Sequence, residues 1–344
     1  MPRTLKNSLA PLLALFCLTF GACDRKNETS SSSARSGPSS ATQASGTTPR
    51  SSKGITVGFS QIGAESAWRT AETKSVQSEA PKRGTNLKFS DAQGDQAKQI
   101  QALKSFVTQG VDAIILAPVK ETGWEPVLRE IKSANIPVIL VDRGVAAPQD
   151  LYSTLIASDF VEEGRRAGEW LATKTGGKCN IAELEGTTGS APAINRKKGF
   201  TQAVAKHPDM KVIKAQTGNF ERAGGKQVME AFLKAADGKD IQAVYAHNDD
   251  MALGAIQAIE EAGLKPGKDI LVLCVDGGRA ALEEIAKGRI ACAVECSPRL
   301  APQAFDAAEA VLAGKPVPKK QVVQDRLFDE TNAKDVLAKG DYWE

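Results

Sequence analysis

From Ile55 onward the chain alternates between short unbroken apolar runs and longer stretches whose apolar positions recur three and four residues apart. ITVGFS (55–60), NLKFSD (86–91), VDAIILAP (111–118) and IPVILVD (136–142) have the length and branched side chains of buried strands. Between them, 67–84, 95–110 and 125–134 read as helices. In DQAKQIQALKSFVTQG, Ile100, Leu103 and Val107 fall on one face and Gly110 supplies the stop. The second half repeats the scheme, with strands at 179–186, 210–218, 241–249, 270–277 and 290–297. Its helices fall at about 161–175, 195–206, 223–236, 251–262 and 279–287. Apolar strands separated by amphipathic helices predict parallel sheets covered on both faces. The expected fold class is α/β, with two Rossmann-like lobes of one architecture, although no residue-level repeat relates them.

The first 53 residues break this pattern. Arg3 and Lys6 precede an apolar run, Leu9 to Phe20, that is too short for a stable transmembrane anchor, and Gly21-Ala22-Cys23 offers small residues for cleavage. Residues 1–23 therefore read as an export signal. Residues 24–53 carry almost no large apolar side chain and are expected to form a disordered Ser-rich tether. Fully extended, it would reach on the order of 100 Å.

Composition narrows the function. At 344 residues the chain is long enough for two lobes with ample cores. Its 44 Lys+Arg are interspersed with 41 Asp+Glu, so no basic stripe exists to follow a phosphate backbone and nucleic acid is not expected as a partner. His207 and His247 are the two histidines, and no Cys-x-x-Cys or His-x-x-x-His pair occurs, so no metal site is expected. The strands are not followed by a G-x-G-x-x-G fingerprint, a Walker loop or a nucleophile elbow. Neither a cofactor nor a catalytic residue is expected.

The apolar runs end on polar groups: Ser60, Asp91, Asp142-Arg143, Asn248-Asp249, Asp276 and Glu295. In a parallel sheet such ends share one edge, where ligands bind at the topological switch. Any one of them alone is as well explained as a helix N-cap; the set, with Arg143 added, suggests a polar ligand. A sugar suits it, since carboxylates accept from hydroxyls, Arg donates in a planar fork and Asn does both. Trp68 can cover a sugar's apolar face or be a core aromatic, and Phe220 is a second stacking candidate. Arg143 either meets the ligand or merely neutralises Asp142, while Arg196 either faces the site or lies with Lys197 and Lys198 in solvent.

FSQIGAESAWR, QGVDAIILAP, IPVILVDR, GTTGSAPAINRKKGF, AHNDDMALGAIQAI and VDG together resemble the periplasmic sugar-binding proteins of ABC importers, in the ribose and galactose class. Within that class the chain resembles most the galactofuranose-binding branch, where Trp-Arg replaces Pro-Phe-Phe after the first strand. The resemblance spans 54–344 and implies the type I architecture, a three-strand hinge and a ligand cleft between the lobes. It implies ligand contacts from Glu65, Trp68, Arg69, Asp142, Arg143, Arg196, Asn248 and Asp276, with Glu295 as an acceptor near the last strand. Ser60, Asp91 and Phe220 are secondary candidates. FGAC further resembles a bacterial lipobox, implying a lipid on Cys23, and the following Asp24 implies retention at the inner membrane.

The expected division is 54–157 plus 298–316 for the first lobe and 158–297 plus 317–344 for the second, with crossings near 155–160, 297–300 and 315–322. The implied function is capture of a monosaccharide by lobe closure and delivery to an inner-membrane permease, by a monomer outside the cytoplasm. A sugar receptor that signals to a membrane kinase or chemoreceptor is the alternative, and no helix-turn-helix precedes the first strand to support a repressor. Cys292 and Cys296, four apart on a strand, lie roughly 13 Å apart and cannot join. Cys274 either meets one of them across neighbouring strands or stays, like Cys179, a free buried thiol.

Overall fold

The computed structural model describes residues 54–344. The expected signal segment, tether and Cys23 lie outside them. The first lobe opens with β1 (Thr56–Gln61), α1 (Ala67–Lys82), β2 (Asn86–Asp91), α2 (Gln96–Thr108), β3 (Ala113–Leu116), α3 (Glu125–Ser133), β4 (Val138–Val141) and β5 (Thr154–Ala157). The second follows as α4 (Phe160–Thr175), β6 (Lys178–Glu185), α5 (Ala191–Val204), β7 (Asp209–Thr217), α6 (Arg222–Lys234), β8 (Ala243–Ala246), α7 (Asp249–Glu261), β9 (Leu271–Asp276), α8 (Arg279–Ala286) and β10 (Cys292–Glu295). The chain then forms α9 (Ala301–Leu312), β11 (Lys320–Val322), β12 (Leu327–Asp329) and α10 (Ala333–Lys339).

Two six-stranded sheets result, ordered β2-β1-β3-β4-β5-β11 and β7-β6-β8-β9-β10-β12. The strand orders correspond position by position, so the two lobes repeat one strand order, differing in the direction of the last strand, despite lacking a visible sequence repeat. All pairings between named strands are parallel except β10–β12. The central strands AIIL (β3) and VILV (β4) are buried throughout, as covered parallel strands must be. Helix starts are capped as the polar residues predict: Asp95 for α2, Asp159 for α4 and Ser190 for α5 each accept from backbone N–H groups one turn in.

Three differences from the sequence reading concern the hinge. TLIA (154–157), expected to begin a crossing, is strand β5 and pairs with β4. The segment 301–312, to which the periodicity assigns no element, is helix α9, and it packs on α1, β3, β4 and β5 of the first lobe. Residues 317–322 are expected in the second lobe, but β11 pairs in parallel with β5 and so completes the first sheet. The third crossing therefore lies at 323–326. β11 is a three-residue edge strand, KQV, too short and too polar to carry an apolar signal.

Two glycines connect packing to the site. A Cβ on Gly164 of α4 would lie 2.0 Å from the Arg196 carbonyl oxygen of α5, and one on Gly199 would lie 1.9 Å from that of Val161. The two helices touch backbone to backbone, which brings Glu163 of α4 against the Arg196 side chain.

Candidate ligand-binding site

A narrow cavity of about 20 Å³ lies between the lobes, where the carboxyl ends of both sheets meet. It is lined by Glu65, Ser66, Trp68, Arg69, Asp142, Arg143, Pro192, Arg196, Phe220, Asn248 and Asp276.

From the first lobe, Ser66 caps α1 and sets Trp68 and Arg69 in its first turn. The Arg69 guanidinium binds three carboxylates: Nε to Glu65 at 3.2 Å, Nη2 to Asp142 at 2.5 Å, and Nη1 to the fully buried Glu72. Burial alone would lower the Arg69 pKa, but the surrounding carboxylates of Asp142, Glu72 and Glu65 hold it well above the usual value. Asp142 stands at φ 61°, just past β4. This left-handed conformation turns the chain sharply, so that Asp142 and Arg143 both face the cavity. Such strain in an Asp at a strand end is typical of ligand sites.

Arg143 is under-paired for a buried cation. It donates to the Val119 carbonyl at 3.1 Å, lies 3.5 Å from Asp142 and 3.6 Å from Glu65, and its Nε has no hydrogen-bond partner among the described residues. Burial, and next the neighbouring Arg69, lower its pKa to about 10, so it stays charged at neutral pH. Glu65 Oε2 is likewise buried without a partner.

From the second lobe, Arg196 donates to Glu163 at 2.7 Å and to the His247 carbonyl at 2.6 Å, and stands 3.6 Å from Asp276. His247 in turn is held by Glu183 at 3.0 Å. Burial pushes the Asp276 carboxyl well above its ordinary value against the pull of Arg196. Asp276 has φ 117°, a second strained acid at a strand end. Asn248 caps α7 through Met251 N–H at 3.0 Å and also donates to the Phe220 carbonyl at 2.9 Å. Asn248 thus caps its helix and also lines the cavity. The Phe220 ring sits over Gly186, where a Cβ would fall 1.9 Å from the ring, and faces the Arg143 guanidinium at 5.4 Å across the cleft.

The structure gathers Glu65, Trp68, Arg69, Asp142, Arg143, Arg196, Asn248, Asp276 and Phe220 around one cavity. Glu295 is not among them. Its two carboxylate oxygens are taken by Arg326 Nε and Nη2, each at 2.7 Å, so it ties the second crossing to the third. Ser60 is buried at the end of β1, 3.5 Å from Gln99, and Asp91 caps its own turn through Gln93 N–H at 2.8 Å, both away from the cavity. Trp68 is buried, lines the cavity and donates through Nε1 to the Cys296 carbonyl at 2.7 Å. Ser66, Pro192, Glu72 and Glu163 are additions that the sequence does not single out. Glu72 is legible in hindsight, one helical turn beyond Arg69, whereas Glu163 meets Arg196 only through tertiary packing. Cys179, Cys274, Cys292 and Cys296 are free and buried, and Cys274 faces Ala293 in the β10 register.

Comparison with known proteins agrees with this geometry. A family described as the periplasmic binding protein domain matches residues 57–316. The galactofuranose-binding protein YtfQ of Escherichia coli (strain K12) is 50% identical over 83% of this chain and 91% of its own length. The binding component of the arabinose ABC transporter from Shewanella sp. ANA-3, solved with α- and β-L-arabinofuranose, is 53% identical with a TM-score of 0.81, covering 83% of this chain and 95% of that one. The fructose-binding periplasmic domain of a hybrid two-component system is 31% identical with a TM-score of 0.77, covering 83% and 94%. These relatives are solute-binding proteins rather than enzymes. With two matching parallel-sheet lobes closed on a polar cavity, the chain belongs to the periplasmic binding protein family.

Proposed function

We propose that this protein captures a monosaccharide in its furanose form between its lobes and delivers it, in the periplasm, to the permease of an ABC importer. The observation that carries the reading is the pair of buried atoms at the cavity that make no hydrogen bond among the described residues, Arg143 Nε, 3.5 Å from Asp142, and Glu65 Oε2. A buried donor and acceptor without a hydrogen bond are costly, and a hydroxyl that both donates and accepts satisfies the two together. The named ligands of the relatives, galactofuranose and L-arabinofuranose, are of that chemistry. Ligand contacts are assigned to Glu65, Trp68, Arg69, Asp142, Arg143, Arg196, Asn248, Asp276 and Phe220. Closure then turns the first lobe (54–157 and 301–322) against the second about the crossings at 158–159, 296–300 and 323–326.

A melting screen of residues 54–344 against L-arabinose, D-galactose, D-fucose, D-ribose and D-glucose tests this, because a ligand held only by the native state raises the melting temperature. Sugars with a populated furanose form are expected to give the larger shifts, lost on Arg143→Ala. A flat response to all five sinks the assignment.

The two-component relative favours a second reading, a receptor that signals without transport. Pulldown from native membranes with and without L-arabinose separates them: a permease is expected, and recovery of a sensor kinase in its place supports the alternative. Lipidation at Cys23 is proposed from the sequence, and Cys23→Ala is expected to move the protein from the membrane fraction to the soluble periplasm. Light scattering is expected to report a monomer.

A further inference from the structure

Asp250 lines no part of the sugar cavity, yet its side chain crosses the cleft. Its Oδ2 accepts from the Ala67 N–H of the first lobe at 2.7 Å, while Oδ1 accepts from Arg222 Nε at 3.1 Å and Nη2 at 2.9 Å. Ala67 is the first residue of α1, so its N–H has no partner within the helix, and the helix end carries partial positive charge. The next two residues, Trp68 and Arg69, both line the cavity. The adjacent acid, Asp249, stays within its own lobe, accepting from Gly278 N–H at 2.8 Å, Gly277 N–H at 3.3 Å and the Cys274 thiol at 3.1 Å.

We infer that Asp250, braced by Arg222, is a closure latch that clamps the start of α1 over the bound ligand and so sets how long the ligand stays. In an open arrangement the carboxylate and the Ala67 N–H each face water. Closing exchanges those contacts for a charge-assisted bond in the seam between the lobes. A contact made only by the closed form shifts the opening equilibrium, and apparent affinity rises with the closed population. Because the bond forms after the sugar has entered, its loss accelerates release more than it slows capture. A second bridge, Glu121 N–H to the Gly189 carbonyl at 3.0 Å, is purely backbone and survives any change at 250.

The latch rests on the sugar-capture reading, and its test uses three variants: Asp250→Ala, Ala67→Pro and the double substitution. Proline lacks the donor but suits the first position of a helix, and the preceding Ser66 is extended (φ −144°, ψ 162°) as a residue before proline must be. Release of L-arabinose, followed by stopped-flow tryptophan fluorescence, is expected to quicken about ten- to hundred-fold in Asp250→Ala, the range for losing a hydrogen bond to a charged group. Ala67→Pro is expected to quicken it at least as much, and the double variant no more than Asp250→Ala. Unchanged release in Asp250→Ala, or a proline effect as large without Asp250 as with it, overturns the latch. Spin labels at Lys104→Cys and Lys234→Cys give a readout that needs no sugar. If the wild type fails to bind L-arabinose, the ligand assignment falls, and the latch stands only if Asp250→Ala lengthens the distance between labels.

Discussion

The two sides of the cavity are built from equivalent parts used differently. Arg69 on α1, the helix after the first strand of its sheet, faces Asp142 at the end of the fourth strand in chain order; Arg196 on α5 and Asp276 after β9 hold the corresponding places in the second lobe. In the first lobe the couple is shut: Arg69 meets Asp142 at 2.5 Å and neutralises Glu65 and Glu72 as well. In the second it is ajar, with Asp276 at 3.6 Å and Arg196 bonded to Glu163 and the His247 carbonyl. The shut couple is joined by a hydrogen bond, whereas the one that is ajar leaves Asp276 beyond hydrogen-bond reach of Arg196. The first lobe also carries a further cation, Arg143, where the second has Gly277.

The sharpest way to break this contrast is to remove each arginine in turn. Arg69→Ala leaves the fully buried Glu72 without its cation, and removing one partner of a buried pair costs about 3–5 kcal/mol. Urea unfolding of the sugar-free protein is expected to show that loss, with a smaller one for Arg196→Ala, which strips one close carboxylate rather than three. Equal losses would mean that both couples are structural.

Next in size is an effect on binding with little on folding. Asp276→Asn removes a charge whose burial disfavours it, and Asn tolerates positive φ, so the fold is expected to be as stable or slightly more so. A hydroxyl bond to a charged acceptor is worth about 1.5–3 kcal/mol, so affinity is expected to fall roughly ten- to hundred-fold by titration calorimetry. Asp142→Asn should do the opposite, lowering the melting temperature more than the affinity.

How much of this could be read from the chain follows from where each signal lies. Strands such as AIIL and VILV and the capped helices announce themselves locally, and so do Asp142-Arg143 and Asp276, because a charge after an apolar run is a local anomaly. The likeness of the two lobes shows in the alternation of strand and helix but in no residue-level repeat, because a topology tolerates almost any side chains of the right period. Glu163 escapes a reading of the chain because only the close approach at Gly164 and Gly199 brings it to Arg196. Glu295 is misplaced for a related reason. It stands opposite Asp276 in the sheet register, as a site residue would. The claim on it comes from Arg326, on a crossing whose position no local pattern reveals.

That misplacement yields a smaller test. If Glu295 serves the hinge and not the cavity, Glu295→Gln weakens a partly exposed ion pair, and stability is expected to drop by about 1 kcal/mol or less. Affinity for L-arabinose should stay within about three-fold, and a much larger loss would return Glu295 to the site.

A last test concerns protons, and it too divides the lobes. In the second lobe and its hinge, burial raises the carboxyls of Glu163 and Asp276 and pushes Asp249 and Asp325 up to about 7; Glu72 and Glu121 are the raised acids of the first. Asp325, whose carbonyl oxygen is held by Arg166 at 2.8 Å, lies on the third crossing, and Glu163 adds to the effect of burial there. Its pKa in the folded protein lies above the unfolded value near 3.9. The native state therefore binds more protons than the unfolded one between those two values, and this group's contribution to stability falls as pH rises through that interval, levelling off above about 7. The sugar-free protein is expected to melt at a higher temperature at pH 5.5 than at pH 8, with part of that difference gone in Asp325→Asn. A profile that instead rises with pH, or one that the substitution leaves untouched, would show that the hinge carboxyl is ionised throughout and that the proton-binding side of the cleft lies elsewhere.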